Sequence, residues 1–139
     1  CPVDSAIYLD QEALSTEVMP YGQFVVATVL AHEVGHHIQN LLGLEGCTDK
    51  GCGGRGGSLA VELQADCFSG AWAQDAGARG GIEGGEIEQT VIALSDFFGD
   101  PPDALPTEPD AHGPGALRTW WFLKGFYDGT ETCLGDQAA

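Results

Sequence analysis

The stretch from residue 23 to residue 42 constrains the fold more than any other part of the sequence. It contains no proline and one glycine, Gly35, and its apolar residues fall on more than one side of a helix. A helix that is apolar on several faces packs inside a protein. We therefore predict a central buried helix that ends at Gly43, because glycine is the residue best suited to a helix C-terminus.

The other segments predict a mainly helical α+β fold with a small sheet. Residues 6–10 partly alternate between apolar and polar, which indicates a strand, and residues 11–18 favour a short helix before Pro20. As a strand, residues 6–10 would offer an edge along which an extended substrate can add. Further helices are predicted over residues 58–76, starting at Ser58, and over residues 86–98.

Glycine and proline mark the predicted connections. Residues 46–57 are rich in glycine and predict a surface loop, and four prolines between residues 101 and 109 predict an extended segment. Gly113 and Pro114 then resemble the start of a closing helix, with Pro114 at its first position. The length of 139 residues suits a single domain over residues 1–139.

The net charge indicates which classes of binding partner to expect, and the cysteine content indicates the cellular compartment. Twenty-one acidic residues against five basic ones give a net charge of −16, which disfavours binding to nucleic acid or to anionic membranes. No apolar run is long enough to span a membrane. Five cysteines favour an oxidising, extracytoplasmic location, and the start at Cys1 indicates a processed or trimmed chain. Pairing among Cys1, Cys47, Cys52, Cys67 and Cys133 stays open, although Cys67 is expected to bridge to Cys1 or Cys133 rather than bind metal.

The segment His32-Glu33-Val34-Gly35-His36 carries the predicted chemistry. Two imidazoles four residues apart on a helix project from one face and can share one cation, for which zinc is well suited. A catalytic zinc site takes three protein ligands and keeps its fourth position for water. The sequence must therefore supply a third ligand outside this segment.

Three schemes for the third ligand can be compared. A histidine six residues after His36, as in metzincins, is excluded because Leu42 occupies that position. A cysteine near residue 47 slightly resembles the deformylase ligand segment, but in that family the segment precedes the histidine helix. A glutamate on the following helix is available as Glu62, which lies among small residues suited to close packing. We therefore predict that His32, His36 and Glu62 hold zinc.

Three further residues receive predicted roles around this site. Asp66 lies one turn beyond Glu62, where it can accept the second ring N–H of a zinc-bound histidine. Glu33 borders the metal without pointing in the same direction as the histidines, so it can activate the zinc-bound water that attacks a peptide bond. His112, just before the closing helix, is a candidate donor to the oxyanion, or else a capping residue.

The sequence resembles the neutral zinc metallopeptidases of the bacterial YpfJ type, within the broader gluzincin group. Besides the histidine segment, the shared features are Cys1-Pro2, Ile7-Tyr8-Leu9-Asp10, Glu62-Leu63-Gln64-Ala65-Asp66-Cys67-Phe68, His112-Gly113, Arg118, Trp121-Phe122, Lys124-Gly125-Phe126 and Cys133. The resemblance covers nearly the whole chain. It departs from the family at residues 43–57, where a Gly-rich loop replaces a longer and more helical segment.

The resemblance implies a minimal gluzincin-like zincin fold, a bacterial source and proteolysis of a protein or peptide substrate. Two alternatives use the same residues. A catalytically latent binding module would keep zinc for stability alone, and another zinc hydrolase would act on a non-peptide amide. Within the first alternative, Glu33 would have no function in turnover.

Overall fold

The computed structural model describes residues 6–44, 47–48, 51–52, 58–101 and 111–135 of the chain. Helix α1 spans Gln11–Ala13 and continues as a π-helical turn, Leu14–Val18, and a 3-10 turn, Met19–Tyr21. The longer helices are α2 (Gln23–Leu42), α3 (Ser58–Ala78), α4 (Glu86–Asp96) and α5 (Gly115–Asp128), followed by the short α6 (Thr130–Leu134). The mainly helical prediction is therefore confirmed.

The predicted helices match the observed ones closely. Helix α2 begins and ends where the sequence placed it, and Gly43 closes it in the left-handed conformation with φ 64°. Helix α3 runs two residues beyond residue 76, and α4 stops two residues short of residue 98. The closing helix begins at Gly115, so Pro114 is its N-cap and not its first residue as predicted, and the additional α6 was not predicted.

The predicted strand at residues 6–10 is wrong. These residues form no strand, and the only strands in the described part of the chain are β1 (Cys47–Thr48) and β2 (Gly51–Cys52), which pair with each other in an antiparallel hairpin. A strand requires a neighbouring ladder, and this hairpin does not supply one to residues 6–10. The side chain of Asp10 instead begins α1, because its Oδ1 accepts hydrogen bonds from the backbone N–H groups of Glu12 and Ala13.

The Gly-rich stretch and the proline-rich stretch are only partly described. The backbone hairpin of β1 and β2 lies within the predicted loop, and the remainder of residues 45–57 falls outside the described residues. Of the four prolines, Pro101 lies in irregular structure, and residues 102–110 fall outside the described residues. Among the described residues, the predicted small sheet therefore consists only of β1 and β2, with two residues in each strand.

The core is built around α3 rather than around the histidine helix α2. From Leu63 to Ala71, helix α3 is buried on all sides, between α2, α5 and α6. Small residues make this possible, because a Cβ on Gly70 would meet the backbone carbonyl of Phe122, and one on Gly125 would meet that of Cys67. Helix α2, by contrast, leaves Leu30 and Val34 about 40% exposed.

A disulfide fixes the end of the chain to this central helix. Cys67 of α3 is bonded to Cys133 of α6, with the two Cα atoms 5.7 Å apart, and both residues are fully buried. Of the two expected partners of Cys67, the structure therefore selects Cys133. Such a bond indicates an oxidising compartment. Among the described residues, no helix combines the length and the apolar character that crossing a membrane requires.

We predict that Gly125→Ala destabilises the protein strongly. The new methyl group would overlap the Cys67 carbonyl oxygen, which belongs to the backbone of α3 and cannot move without separating the two helices. Overpacking typically costs about 1–3 kcal/mol, and contact with rigid backbone places this change at the upper end of that range. Thermal and denaturant unfolding measure the change. The control is Gly84→Ala, where a Cβ meets nothing within 4 Å, and equal stability of the two variants would contradict this account of the helix contact.

Candidate metal centre

Three side chains from two helices converge at one point. His32 and His36 lie one turn apart on α2, and Glu62 lies in the second turn of α3. The Nε2 atoms of the two histidines are 3.1 Å apart, and Glu62 Oε2 and Oε1 lie 3.1 Å from His32 Nε2 and 3.3 Å from His36 Nε2. The structure thus brings together the three residues that the sequence predicted as ligands.

The geometry of this group fits a small divalent cation. Tetrahedral zinc with bonds of about 2.0–2.1 Å to nitrogen or oxygen holds its ligand atoms roughly 3.3 Å apart. The observed separations of 3.1–3.3 Å are close to that spacing. Two imidazole nitrogens facing each other at such a distance also need a proton or a cation between them, because their lone pairs repel. The His32–His36–Glu62 group can therefore hold a metal ion.

A close contact between α2 and α3 produces this convergence. Gly35 lies between the two histidines in sequence, and a Cβ at this position would approach Ala65 Cα to 3.0 Å. Any larger residue at either position would push the helices apart. Because Glu62 and Ala65 are three residues apart on α3, this contact also sets the distance from Glu62 to the histidines.

Asp66 orients His32 in the way that the sequence predicted for a supporting carboxylate. Its Oδ1 lies 2.8 Å from His32 Nδ1, and a carboxylate can only accept here, so Nδ1 carries the proton. The Nε2 atom of His32 is thereby directed toward His36 and Glu62. Arg118 of α5 donates to both oxygens of Asp66, at 2.8 Å each, and also to the Phe98 carbonyl oxygen at 2.8 Å.

Gln39 orients His36 in a corresponding way. The amide Nε2 of Gln39 donates to the Val61 carbonyl at 2.7 Å and to Gln64 Oε1 at 3.0 Å. This assignment turns Gln39 Oε1 toward His36 Nδ1, 2.8 Å away, so that Nδ1 donates and Nε2 faces the metal position. Gln64 in turn donates to the Cys133 carbonyl at 2.7 Å, which links the site to the disulfide-bonded helix.

Arg118 and Gln39 also belong to the site, although the sequence patterns predicted no role for either residue there. Arg118 was recognised only as a family residue of the closing helix, yet it is 4% exposed and neutralises Asp66. Gln39 lies three residues after His36 on the same face of α2, and this spacing was a signal for contact. No sequence signal places Arg118 against Asp66, because that contact depends on how α5 packs against α3.

The carboxylates of Asp66 and Glu62 raise the pKa values of the two histidines, and the histidines in turn lower the pKa of Glu62. Burial opposes protonation of His32, but the charges and hydrogen bonds of Asp66 and Glu62 outweigh it and raise its pKa to about 9. The pKa of His36 is also raised, because the contribution of Glu62 exceeds the effects of burial and of His32. Burial opposes ionisation of Glu62, yet the two histidines hold its pKa well below its usual range.

Glu33 and His112 line the same cavity as the three converging residues. The cavity has a volume of about 400 Å³. Within the described residues no ion pair engages Glu33, whose carboxylate is half-buried at the cavity wall and also borders a second hollow beside residues 6–8. His112 has a side chain 52% exposed, with Nδ1 4.0 Å from Asp100 Oδ1. The structure therefore places both predicted catalytic residues at the candidate metal centre.

We predict that zinc binding at pH 7 releases protons and that zinc affinity rises with pH. His32, with a pKa of about 9 in the metal-free site, is protonated at neutral pH and must lose that proton to bind metal. The proton competition weakens as the pH approaches 9, so affinity increases up to that point. Titration calorimetry in buffers of different ionisation enthalpy should give a release of about one proton or more. Affinity that is constant between pH 6 and pH 9 would contradict the assigned contacts.

Comparisons with known proteins agree with the geometry. A family model described as "Putative neutral zinc metallopeptidase" matches residues 1–134. The chain is 34% identical over 148 residues to the Escherichia coli K12 protein named "Uncharacterized protein YpfJ", covering 93% of this chain and 50% of that one. It is also 34% identical over 151 residues to Mycobacterium tuberculosis H37Rv "Uncharacterized protein Rv2575", covering 93% and 51%.

The chain spans about half the length of the curated relatives it matches. No solved structure matches it significantly. The family match nevertheless includes α2, α3 and α5, the helices that carry the converging histidines, Glu62, Asp66 and Arg118. The chain therefore belongs to the neutral zinc metallopeptidase family that also includes YpfJ and Rv2575.

Proposed function

We propose that this protein is a zinc-dependent peptidase in which His32, His36 and Glu62 bind the metal and Glu33 acts as general base. The observation that carries the proposal is the convergence of the three ligand atoms in a cavity that Glu33 also lines. The family description supports zinc and peptide bonds as the metal and the substrate class. The two-histidine helix and the glutamate on the next helix support a zincin-like arrangement within a single peptidase domain.

Zinc at this position would supply a Lewis acid that lowers the pKa of water to about 7 and polarises the scissile carbonyl. Glu33 would accept the proton of the attacking water on a carboxylate oxygen and deliver it to the nitrogen of the leaving amine. The water oxygen would form the new C–O bond to the carbonyl carbon, and the C–N bond would break as that nitrogen is protonated. The second proton of the water also passes to the amine, so the products are a carboxylate and an ammonium group. Asp66 and Gln39 would keep the two imidazoles oriented during this cycle.

His112 is proposed to stabilise the negative charge that develops on the carbonyl oxygen. His112 lines the cavity and lies three residues before the start of α5. An N–H group directed at the oxyanion stabilises the transition state more than the substrate, and therefore raises kcat. The Asp100 carboxylate lies beside the ring, with its Oδ1 4.0 Å from His112 Nδ1.

The location proposed for this activity is outside the bacterial cytoplasm. The buried Cys67–Cys133 disulfide supports an oxidising environment, and the relatives that this chain matches are bacterial. The acidic composition supports a protein or peptide as the partner rather than nucleic acid or a membrane surface. A secreted protein, or one anchored by a segment outside this sequence, fits these observations.

The replacement Glu33→Gln tests the proposal. It removes the base but keeps the size of the side chain, and Glu33 belongs to neither the three ligands nor their hydrogen-bond partners. We expect kcat on an unfolded protein such as casein to fall by at least about 100-fold, while zinc content stays near one per chain. A wild-type protein that holds zinc but cleaves nothing would indicate the latent binding module instead.

His112→Ala should lower kcat by about 100-fold, the usual effect of removing one oxyanion donor. Because His112 is half-exposed and does not contact the three ligands, KM, zinc affinity and thermal stability should change little. Steady-state kinetics on the zinc-loaded variant separate the change in kcat from any change in KM. An unchanged kcat would assign His112 to capping rather than to catalysis.

A further inference from the structure

The cavity extends from the metal centre into the protein, beyond the residues used in the proposed mechanism. Its buried lining between α2, α3 and α4 is formed by Val25, Thr28, Ser69, Thr90 and Leu94, each at most 5% exposed. The half-buried Val29 and Phe98 complete this part of the wall. Four of these seven residues are hydrocarbon side chains, and the other three carry hydroxyl groups.

The three hydroxyl groups are already occupied by their own helices. Thr28 Oγ1 donates to the Phe24 carbonyl at 3.0 Å and Thr90 Oγ1 to the Glu86 carbonyl at 2.9 Å. Ser69 Oγ donates likewise to the Asp66 carbonyl at 2.8 Å. With their hydrogens engaged, these groups offer a ligand acceptor oxygens but no donor. With four hydrocarbon side chains beside them, the wall is mainly apolar.

The buried charges in the lining also compensate each other. Asp66 is 1% exposed and Arg118 is 4% exposed, and they form a two-point ion pair. A carboxylate inserted beside them would lose its water without gaining a free counter-charge, and the Glu33 carboxylate in the same lining would repel it. The cavity thus discriminates against aspartate and glutamate side chains on physical grounds.

We propose that this cavity is a substrate pocket that binds one uncharged apolar side chain, aliphatic or aromatic, of a residue flanking the scissile bond. The inference rests on the proposed peptidase function. The cavity is continuous with the metal centre, because the same space is lined by His32, Glu33 and Glu62. Its volume of about 400 Å³ is at the low end for ligand sites, roughly 300–1,000 Å³, and suits one side chain beside a peptide unit.

The pocket can be tested by binding, without turnover. N-acylated amino acid hydroxamates chelate zinc through the same group and differ only in the side chain, so their relative affinities isolate the pocket. For the zinc-loaded protein we expect the leucyl compound to bind about 10- to 100-fold more tightly than the alanyl one. The glutamyl compound should bind no more tightly than the alanyl one, despite its longer carbon chain. Titration calorimetry gives the three dissociation constants.

Variants of the lining make the test specific. Val29→Phe should fill the cavity and remove the preference for leucyl over alanyl. The matched control is Leu30→Phe, the adjacent residue, which lies 41% exposed beside a separate hollow and should keep the preference. Should Val29→Phe fail to fold, Phe98→Leu provides the opposite change, because a wider cavity should improve binding of a tryptophanyl hydroxamate relative to the leucyl one.

The outcomes separate the pocket from the peptidase activity. The pocket proposal would be overturned by equal affinities for the leucyl and alanyl compounds, even if casein is cleaved. It would also be overturned if Val29→Phe and Leu30→Phe had equal effects on these affinities. A leucyl preference that Val29→Phe abolishes would support the pocket even if no peptide is hydrolysed, in which case only the proposed catalytic function fails.

Discussion

The buried carboxylate of Asp66 joins the three helices that build the metal centre. It lies on α3, accepts a hydrogen bond from His32 on α2, and forms a two-point ion pair with Arg118 on α5. Burial raises the cost of ionising Asp66, but the charges of Arg118 and His32 outweigh it and keep its pKa below the usual value. Removing one member of such a buried pair costs about 3–5 kcal/mol. The packing of the bundle and the orientation of His32 therefore depend on the same contact.

The small residues along α3 are the second condition for the site. Ala65 admits Gly35 of α2 to within van der Waals distance, and Gly70 admits the backbone of α5. These two contacts lie on different sides of α3, so the helix is enclosed by its neighbours. Glu62 and Asp66, one turn apart, are thereby held against His32 by backbone packing rather than by flexible side chains. A metal site supported in this way is largely formed before the metal binds.

Local sequence patterns predicted the parts of the fold that depend on local interactions. The limits of α2 followed from the proline-free run and from Gly43. Helical spacing and the small residues around Glu62 predicted the three side chains that converge at the candidate metal centre. The strand at residues 6–10 was predicted wrongly because alternation of apolar residues indicates a strand only where a partner strand exists. Asp10 instead satisfies the start of α1. Arg118 and the choice of Cys133 as the partner of Cys67 depend on contacts between distant segments, which spacing does not encode.

The measurement that tests the account most directly is the zinc stoichiometry and affinity of the protein and of Glu62→Gln. Glu62 contributes the only carboxylate among the three converging residues, so its loss should leave two imidazoles and weaken zinc binding by at least about 10- to 100-fold. Glu88→Gln, an exposed substitution on α4, is the control and should bind zinc as the wild type does. One zinc per chain in the wild type and the control, with loss in Glu62→Gln, is the predicted result. Equal zinc binding by all three proteins would contradict the assignment of the metal centre.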